Sequence, residues 1–172
     1  MGDNLPLLPK QILLTNLLTD IPEMTIATDS VDEELIARPR RWDVKFIRNF
    51  MLTFGAISSV FDFLTFGALL LVAQATTAEF RTGWFLESVI SASLIVLVIR
   101  SRRPPFRSRP SPELLAATLI IFAVTLALSL TPLADPLGFR PLPVSILLII
   151  GLIVTAYAAT AELAKRIFYR WY

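Results

Sequence analysis

The chain has 172 residues, of which 55% are hydrophobic and only 17% are charged, and its mean hydropathy is +0.65. This composition supplies too little polar surface for a soluble domain of that length and is typical of a protein embedded in a bilayer. Cysteine and histidine are both absent, which excludes disulfides, thiolate metal sites and imidazole catalysis and leaves oxygen atoms as the ligands for any metal.

Apolar runs predict membrane-spanning helices within a single domain that covers residues 1–172. The five predicted spans are residues 10–28, 46–73, 82–100, 112–131 and 143–165. With their flanks, each approaches or exceeds the roughly 17–25 residues that a helix needs to cross the hydrocarbon core. The runs are apolar on consecutive residues rather than on alternate ones, which argues against a β-barrel. The sequence therefore predicts an all-α membrane protein, a bundle of about five transmembrane helices.

The first span carries polar residues where a membrane helix normally has none. Four of them are spaced i, i+3, i+4 and i+7, and so share one stripe of a helix: Asn16, Thr19, Asp20 and Glu23. An ionisable group at membrane depth is costly and marks a candidate functional site. Pro22 removes a backbone hydrogen bond and is expected to free a carbonyl oxygen next to Asp20. Carboxylate, amide and carbonyl oxygens are the ligands that a hard cation prefers.

Two further acids, Asp62 and Glu87, lie inside the second and third spans. Within the predicted spans, Lys and Arg lie only at or near the ends and none is placed to pair with these acids, so their compensation is expected from a bound cation, from protonation or from groups outside this chain. The primary metal candidates are Asn16, Thr19, Asp20 and Glu87, and the secondary ones are Asp62 and Glu23. A structural alternative stays open, in which polar groups hydrogen-bond to neighbouring helices or a solvated carboxylate lies at the helix mouth.

The fourth span has clear signals at both ends. Ser111 followed by Pro112 and Glu113 predicts a helix start, with a capping hydroxyl, a proline whose φ suits the first turn and an acid near the positive end of the helix dipole. Thr131 and Pro132 predict its end.

Basic residues predict the orientation, because they favour cytoplasmic loops. On one side of the predicted bundle lie Arg38, Arg40, Arg41, Lys45, Arg48, Arg100, Arg102, Arg103, Arg107, Arg109, Lys165, Arg166 and Arg170. The other side has only Lys10, Arg81 and Arg140. We therefore expect the N-terminus outside and the C-terminus in the cytoplasm.

Nucleotide chemistry is not expected of this chain alone. It has no glycine-rich phosphate loop, no Asp-Lys-Thr-Gly sequence and no extramembrane stretch long enough to fold a nucleotide domain. The sequence therefore predicts no catalytic residue, no ATP site and no nucleic-acid partner, with the lipid bilayer as the environment.

Short motifs resemble those of P-type cation-transporting ATPases. The segment Asn16-Leu17-Leu18-Thr19-Asp20 is similar to their sixth membrane helix, in which Asn, Thr and Asp supply ligand oxygens to the transported ion. Resemblance to the magnesium-translocating branch lies in Arg40-Arg41-Trp42-Asp43, Phe61-Asp62, Gly83-Trp84-Phe85-Leu86-Glu87-Ser88 and the Arg/Pro-rich segment 100–109. The resemblance implies that the five spans correspond to the sixth through tenth helices, and that Glu87 matches a ligand Glu of the eighth helix.

This resemblance implies the C-terminal membrane part of an ATP-driven pump in the bacterial inner membrane, supplying cation ligands and scaffold. Its partner would be the N-terminal half of such an ATPase, or another membrane subunit, and the transported ion would be Mg²⁺, although ligand type alone leaves Ca²⁺ and H⁺ open. Two alternatives stay open: a stand-alone accessory or regulatory subunit or remnant without transport, and an ATP-independent channel or carrier.

Overall fold

The computed structural model describes residues 7–29, 43–101 and 109–171, and within these ranges it is helical with no strand. The helices are α1 (Pro9–Thr25), α2 (Val44–Gly67), α3 (Thr77–Ile99), α4 (Pro112–Leu130) and α5 (Val144–Trp171). A π-helical turn, Ala68–Val72, extends α2. The expected all-α class is confirmed. Several residues of the basic clusters lie outside the described ranges: Arg38, Arg40, Arg41, Arg102, Arg103 and Arg107.

Four of these helices, α2 to α5, are long and apolar enough to cross a membrane. Helix α1 is not among them, because its 17 residues span only about 26 Å at roughly 1.5 Å per residue, less than the roughly 30 Å of a hydrocarbon core. The chain is therefore a helical bundle in which a short, polar helix accompanies four apolar ones. Short polar helices of this kind need protein around them rather than lipid.

Local capping explains where α3 and α4 begin. Ser111 caps α4 by accepting a hydrogen bond from the backbone N–H of Leu114 at 3.2 Å, with Pro112 in the first turn, and α4 ends at Leu130. The predicted start and end of this helix are confirmed. Thr76 and Glu79 form a capping box at the start of α3, which supplies partners for N–H groups that the helix itself leaves free.

Helix α3 is central and contacts each of the other four helices. Its buried residues Phe85 and Val89 pack in one cluster with Leu18 of α1 and Ile121 of α4. Leu86 packs on the other side with a row of α5 residues. Residues placed on α3 are therefore positioned by the whole bundle.

The two ends of the bundle are fastened by polar contacts. At the first end, which we call the Pro136 end, the buried side chain of Gln11 accepts a hydrogen bond from the N–H of Leu8 and donates one to the carbonyl of Leu137. Lys10 donates to the carbonyl of Pro136 at the same end. These contacts hold the start of α1 against the 3₁₀ turn Pro132–Leu137.

At the opposite end, which we call the Arg100 end, Asp29 joins three segments. One of its carboxylate oxygens pairs with the Arg100 guanidinium at 2.6 Å, and the other accepts the backbone N–H of Ser111 at 2.7 Å. Both side chains of the ion pair are buried, with 3% and 5% exposed. The chain that follows α1 is thus bound to the end of α3 and the start of α4.

Gly83 allows α3 to approach its neighbours closely. A Cβ atom there would lie 3.1 Å from the Leu69 side chain and 3.3 Å from that of Ile150, whereas a Cβ at Gly55 would meet nothing within 4 Å. We expect Gly83→Val to lower the free energy of unfolding by about 1–3 kcal/mol, the usual cost of overpacking a core. Gly55→Val is the matched control and should leave Tm unchanged in thermal unfolding followed by circular dichroism in detergent micelles. Equal Tm values for the two variants would contradict the close packing.

Candidate functional site

A partly open cavity of about 380 Å³, lined by both polar and apolar side chains, lies between α1, α2, α3 and α5. It is lined by Thr15, Thr19, Ser58, Phe61, Asp62, Trp84, Glu87, Ser88, Ser91, Ala92, Ile95 and Tyr157. Two carboxylates and several hydroxyl groups therefore face one space within a bundle that is otherwise mostly apolar.

Helix α3 supplies the largest share of the polar lining. Trp84, Glu87, Ser88 and Ser91 are spaced i, i+3, i+4 and i+7 and so occupy one helical face. On α2, Ser58 and Asp62 are four residues apart and share a face in the same way. The polar faces of α2 and α3 thus both line the cavity.

Glu87 is the most deeply buried acid of the cavity, with 1% of its surface exposed. Its Oε2 atom has no hydrogen-bond partner in the part of the chain that the structure describes. The buried Lys165 of α5 lies elsewhere, where it pairs with Glu162 and donates to the carbonyl of Val98. A buried carboxylate oxygen without a partner costs free energy and indicates a place for a cation, a proton or water.

The other polar groups of the cavity are less deeply buried or are already paired. Asp62 is half-buried. Ser58 and Tyr157 share a hydrogen bond of 2.9 Å that links α2 to α5 across the cavity wall. The indole N–H of Trp84 is buried and interacts with the carboxylate of Asp62. Among the described residues, the buried atom of the cavity that remains without a partner is therefore Oε2 of Glu87.

The structure divides the polar stripe of α1. Thr19, together with Thr15 one turn before it, lines the cavity, whereas Asn16, Asp20 and Glu23 are exposed on the surface of the bundle. Leu14, Leu18 and Pro22 are the residues that turn toward the protein, since they pack on α3 and α4 or are buried. The stripe lies at the border between the packed and the exposed side of α1, so its members face different surroundings.

The expected irregularity near Asp20 is not observed. Helix α1 is continuous through Pro22 to Thr25, and it ends in the 3₁₀ turn Ile26–Thr28. The Thr25 hydroxyl donates to the carbonyl of Pro22 at 2.9 Å, which supports this last turn.

The cavity therefore brings together Thr19, Asp62 and Glu87 of the predicted site residues, and it does not include Asn16, Asp20 or Glu23. It adds residues that the sequence did not single out as a site: Thr15, Ser58, Trp84, Ser88, Ser91 and Tyr157. For α3, the sequence signal of a polar face was the i, i+3, i+4, i+7 spacing of Trp84, Glu87, Ser88 and Ser91. For Tyr157, the sequence signal of a site residue was a polar hydroxyl group within an otherwise apolar run.

The donor set suits a partly hydrated ion rather than an all-protein cage. Within the described ranges, no group of three or more Asp, Glu, His or Cys side chains is close enough to hold a metal. Mg²⁺ commonly keeps several waters and uses one or two carboxylates, which is what Asp62 and Glu87 provide.

Comparisons with known proteins agree with this architecture. The family described as "Cation transporting ATPase, C-terminus" matches residues 4–167. A protein named "Magnesium-transporting ATPase, P-type 1" from Salmonella typhimurium (strain LT2) is 40% identical over 173 residues, covering 98% of this chain and 19% of the relative. The protein of the same name from Escherichia coli (strain K12) shows the same identity and coverage.

A second Salmonella typhimurium protein of that name is 34% identical over 169 residues, or 95% of this chain. The chain spans about a fifth of the length of the curated relatives it matches, 19% in each case. The family match and the four apolar helices support a multi-pass integral membrane protein. With a match over nearly its whole length, the chain belongs to the family of cation-transporting ATPase C-terminal regions.

Proposed function

We propose that this chain is the C-terminal membrane part of an ATP-driven magnesium pump of the bacterial inner membrane, with its N-terminus outside and its C-terminus in the cytoplasm. It supplies ion ligands and scaffold, and the phosphorylated and nucleotide-binding parts belong to the remainder of the pump. The names of the relatives support magnesium as the transported ion. Transport would be driven by helix shifts that change the access to the ion site.

The observation that carries this proposal is the uncompensated carboxylate of Glu87. It is almost fully buried, has an unpaired oxygen and faces a cavity that also contains Asp62 and Thr19. A buried carboxylate of this kind costs free energy in a membrane protein unless it binds a cation or a proton. A divalent cation in the cavity would neutralise both carboxylates at once.

The exposed side of α1 supports the proposal that a partner covers this helix on the side opposite to α3 and α4. Asn16 and Asp20 lie there among exposed apolar residues such as Leu13 and Leu17, which are 71% and 60% exposed. A surface that mixes a carboxylate and an amide with large apolar side chains suits neither lipid nor water. We propose that membrane helices of the N-terminal part of the pump cover this face, and that Asn16 and Asp20 serve the ion from that side, while Thr19 serves it from the cavity.

The test is a chimera in which this chain replaces the C-terminal region of the Escherichia coli relative, expressed in a strain without its own magnesium transporters. We expect the chimera to restore magnesium uptake, measured by elemental analysis of the cells. Asp20→Asn should reduce that uptake to near the background, because it removes the charge from the α1 ligand face while keeping its size.

The matched control for this substitution is Asp135→Asn, which makes the same change at an exposed position in the Pro132–Leu137 turn. It should transport like the parent chimera. If Asp20→Asn also transports like the parent, α1 is a scaffold helix and the chain has an accessory role.

A further inference from the structure

We infer that Tyr157 of α5 is a positioning residue of the cavity, because its hydroxyl group and its ring hold the turn of α2 that carries Asp62. The inference rests on the proposed function and adds a residue of the last helix to the site. It follows from how little of α2 is buried, from the contacts of Tyr157 with that helix, and from the packing that fixes Tyr157 itself.

Helix α2 carries Asp62 but is the least buried of the four apolar helices. In its most apolar stretch 11% of the residues are buried, against 50% in that of α3. It packs mainly on α5 and to a smaller extent on α3. An exposed helix has few contacts that fix its rotation, and one residue along a helix corresponds to a turn of about 100°. The direction of Asp62 therefore depends on the specific contacts that α2 makes with α5.

Tyr157 makes two such contacts, both at the turn of α2 that carries Asp62. Its hydroxyl group shares a hydrogen bond of 2.9 Å with that of Ser58. Its ring packs edge-on against the ring of Phe61, with 5.4 Å between the ring centroids and 68° between the planes. Ser58 lies one turn before Asp62 on the same face, and Phe61 directly precedes Asp62. Contacts at two points fix both the rotation and the height of this turn.

Tyr157 is itself held by the core, with 2% of its surface exposed. On the same face of α5 lie Val154, about one turn before it, and Ala161, one turn after it, and both are buried. Val154 packs in one cluster with Leu86 of α3, and Ala161 packs in another with Val98 of α3. The packed face of α5 thus ties Tyr157 to α3, the helix that supplies most of the polar lining of the cavity.

The same stretch of α2 is also in contact with Trp84 of α3. The ring of Trp84 packs edge-on against Phe66, one turn after Asp62, with 4.7 Å between the centroids. Its buried indole N–H interacts with the carboxylate of Asp62. Loss of the Tyr157 contact would shift α2 and so change the surroundings of Trp84. Trp84 is therefore a reporter of the position of Asp62.

The hydroxyl group of Tyr157 is the part of this side chain that can be removed with the ring contact kept. A hydrogen bond between membrane helices contributes only modestly to stability, so Tyr157→Phe is expected to leave the bundle folded. Residues that orient metal ligands without touching the metal change metal affinity by roughly 10–100-fold when they are removed. A positioning role therefore predicts weaker ion binding with little loss of stability.

The first test measures magnesium uptake by the chimeric pump as a function of magnesium concentration. Tyr157→Phe should lower the apparent affinity by roughly 10-fold and leave the maximal rate per folded protein close to that of the parent. Ser58→Ala removes the same hydrogen bond, so the double variant should lose no more affinity than either single variant. Tyr169→Phe makes the same substitution on α5 outside the cavity, is the matched control and should transport like the parent.

A second comparison separates positioning from direct contact with the ion. If Tyr157 acts through Asp62, Tyr157→Phe should have no further effect on affinity in an Asp62→Asn background. An additional loss of affinity there would mean that Tyr157 acts on the ion in another way, and it would overturn the inference. Unchanged affinity in Tyr157→Phe, with only a lower Tm, would show a purely structural role and overturn it too.

A third measurement does not depend on transport. The full chain is placed in phosphatidylcholine nanodiscs with Trp42→Phe and Trp171→Phe, so that Trp84 is its single tryptophan. We expect Tyr157→Phe, but not Tyr169→Phe, to shift the emission maximum of Trp84, while circular dichroism checks that each variant is folded. Unchanged emission would overturn the inference whatever the chimera transports. A shifted emission together with a chimera that takes up no magnesium would support the positioning of Asp62 and count against the proposed function alone.

Discussion

Glu87→Gln is expected to abolish most magnesium transport without unfolding the protein. The substitution keeps the size of the side chain and removes the charge that faces the cavity. We expect the apparent affinity for magnesium in the chimeric pump to fall by roughly 10–100-fold. The same change should leave Tm equal to or above that of the parent, because the buried Oε2 of Glu87 lacks a partner and an uncompensated buried carboxylate is destabilising.

Two measurements check this prediction: the concentration dependence of magnesium uptake, and thermal unfolding of the chain in detergent followed by circular dichroism. A residue with a purely structural role would behave in the opposite way, with a lower Tm and transport reduced only in proportion to the amount of folded protein. That outcome would remove Glu87 from the site. Asp135→Asn again serves as the control for loss of an acid at an exposed position.

Arg100→Met is expected to have the largest effect on stability. It leaves the carboxylate of Asp29, which is 5% exposed, buried with the N–H of Ser111 as its remaining partner among the described residues. Removal of one member of a buried ion pair costs about 3–5 kcal/mol, which for a chain of this length lowers Tm by roughly 6–20 °C. Thermal unfolding in detergent micelles measures the shift.

The control for this prediction is Arg166→Met, because Arg166 is 59% exposed and pairs with Glu162 at 3.2 Å on the bundle surface. An exposed pair contributes about 0–1 kcal/mol, so this variant should be close to the parent. The double variant Asp29→Asn with Arg100→Met removes both charges and should recover part of the lost stability. A Tm for Arg100→Met no lower than that of Arg166→Met would mean that the joint at the Arg100 end does not hold the bundle together.

Much of the fold was predictable because its signals are local. The apolar runs indicated helices, and the Ser111-Pro112-Glu113 sequence placed the start of α4 where the structure has it. Thr131 likewise marked the end of that helix. A cap depends on the side chain and backbone of a few consecutive residues, so it can be read without knowing the tertiary structure.

The candidate site was only partly predictable, because it depends on how each helix is rotated. Thr19 and Asp20 are consecutive and differ by about 100° around α1, so a small rotation decides which of them faces the cavity. Packing of Leu18 against Phe85 and Ile121 sets that rotation. These partners lie on other helices, so the sequence of α1 does not contain them. The free carbonyl oxygen expected near Pro22 depended in the same way on the backbone geometry of the neighbouring turns, and α1 is continuous there.

The sequence by itself determined the class of the protein and the chemistry open to it. Its apolar runs require helices in a bilayer, and the absence of histidine and cysteine restricts any metal site to oxygen ligands. Only the tertiary structure decided that Glu87, Asp62 and Thr19 share one cavity with Tyr157, and that Asp20 faces away from it. The physical reason is that hydrophobicity and capping act between near neighbours in the chain, whereas helix rotation follows from the packing of side chains on different helices.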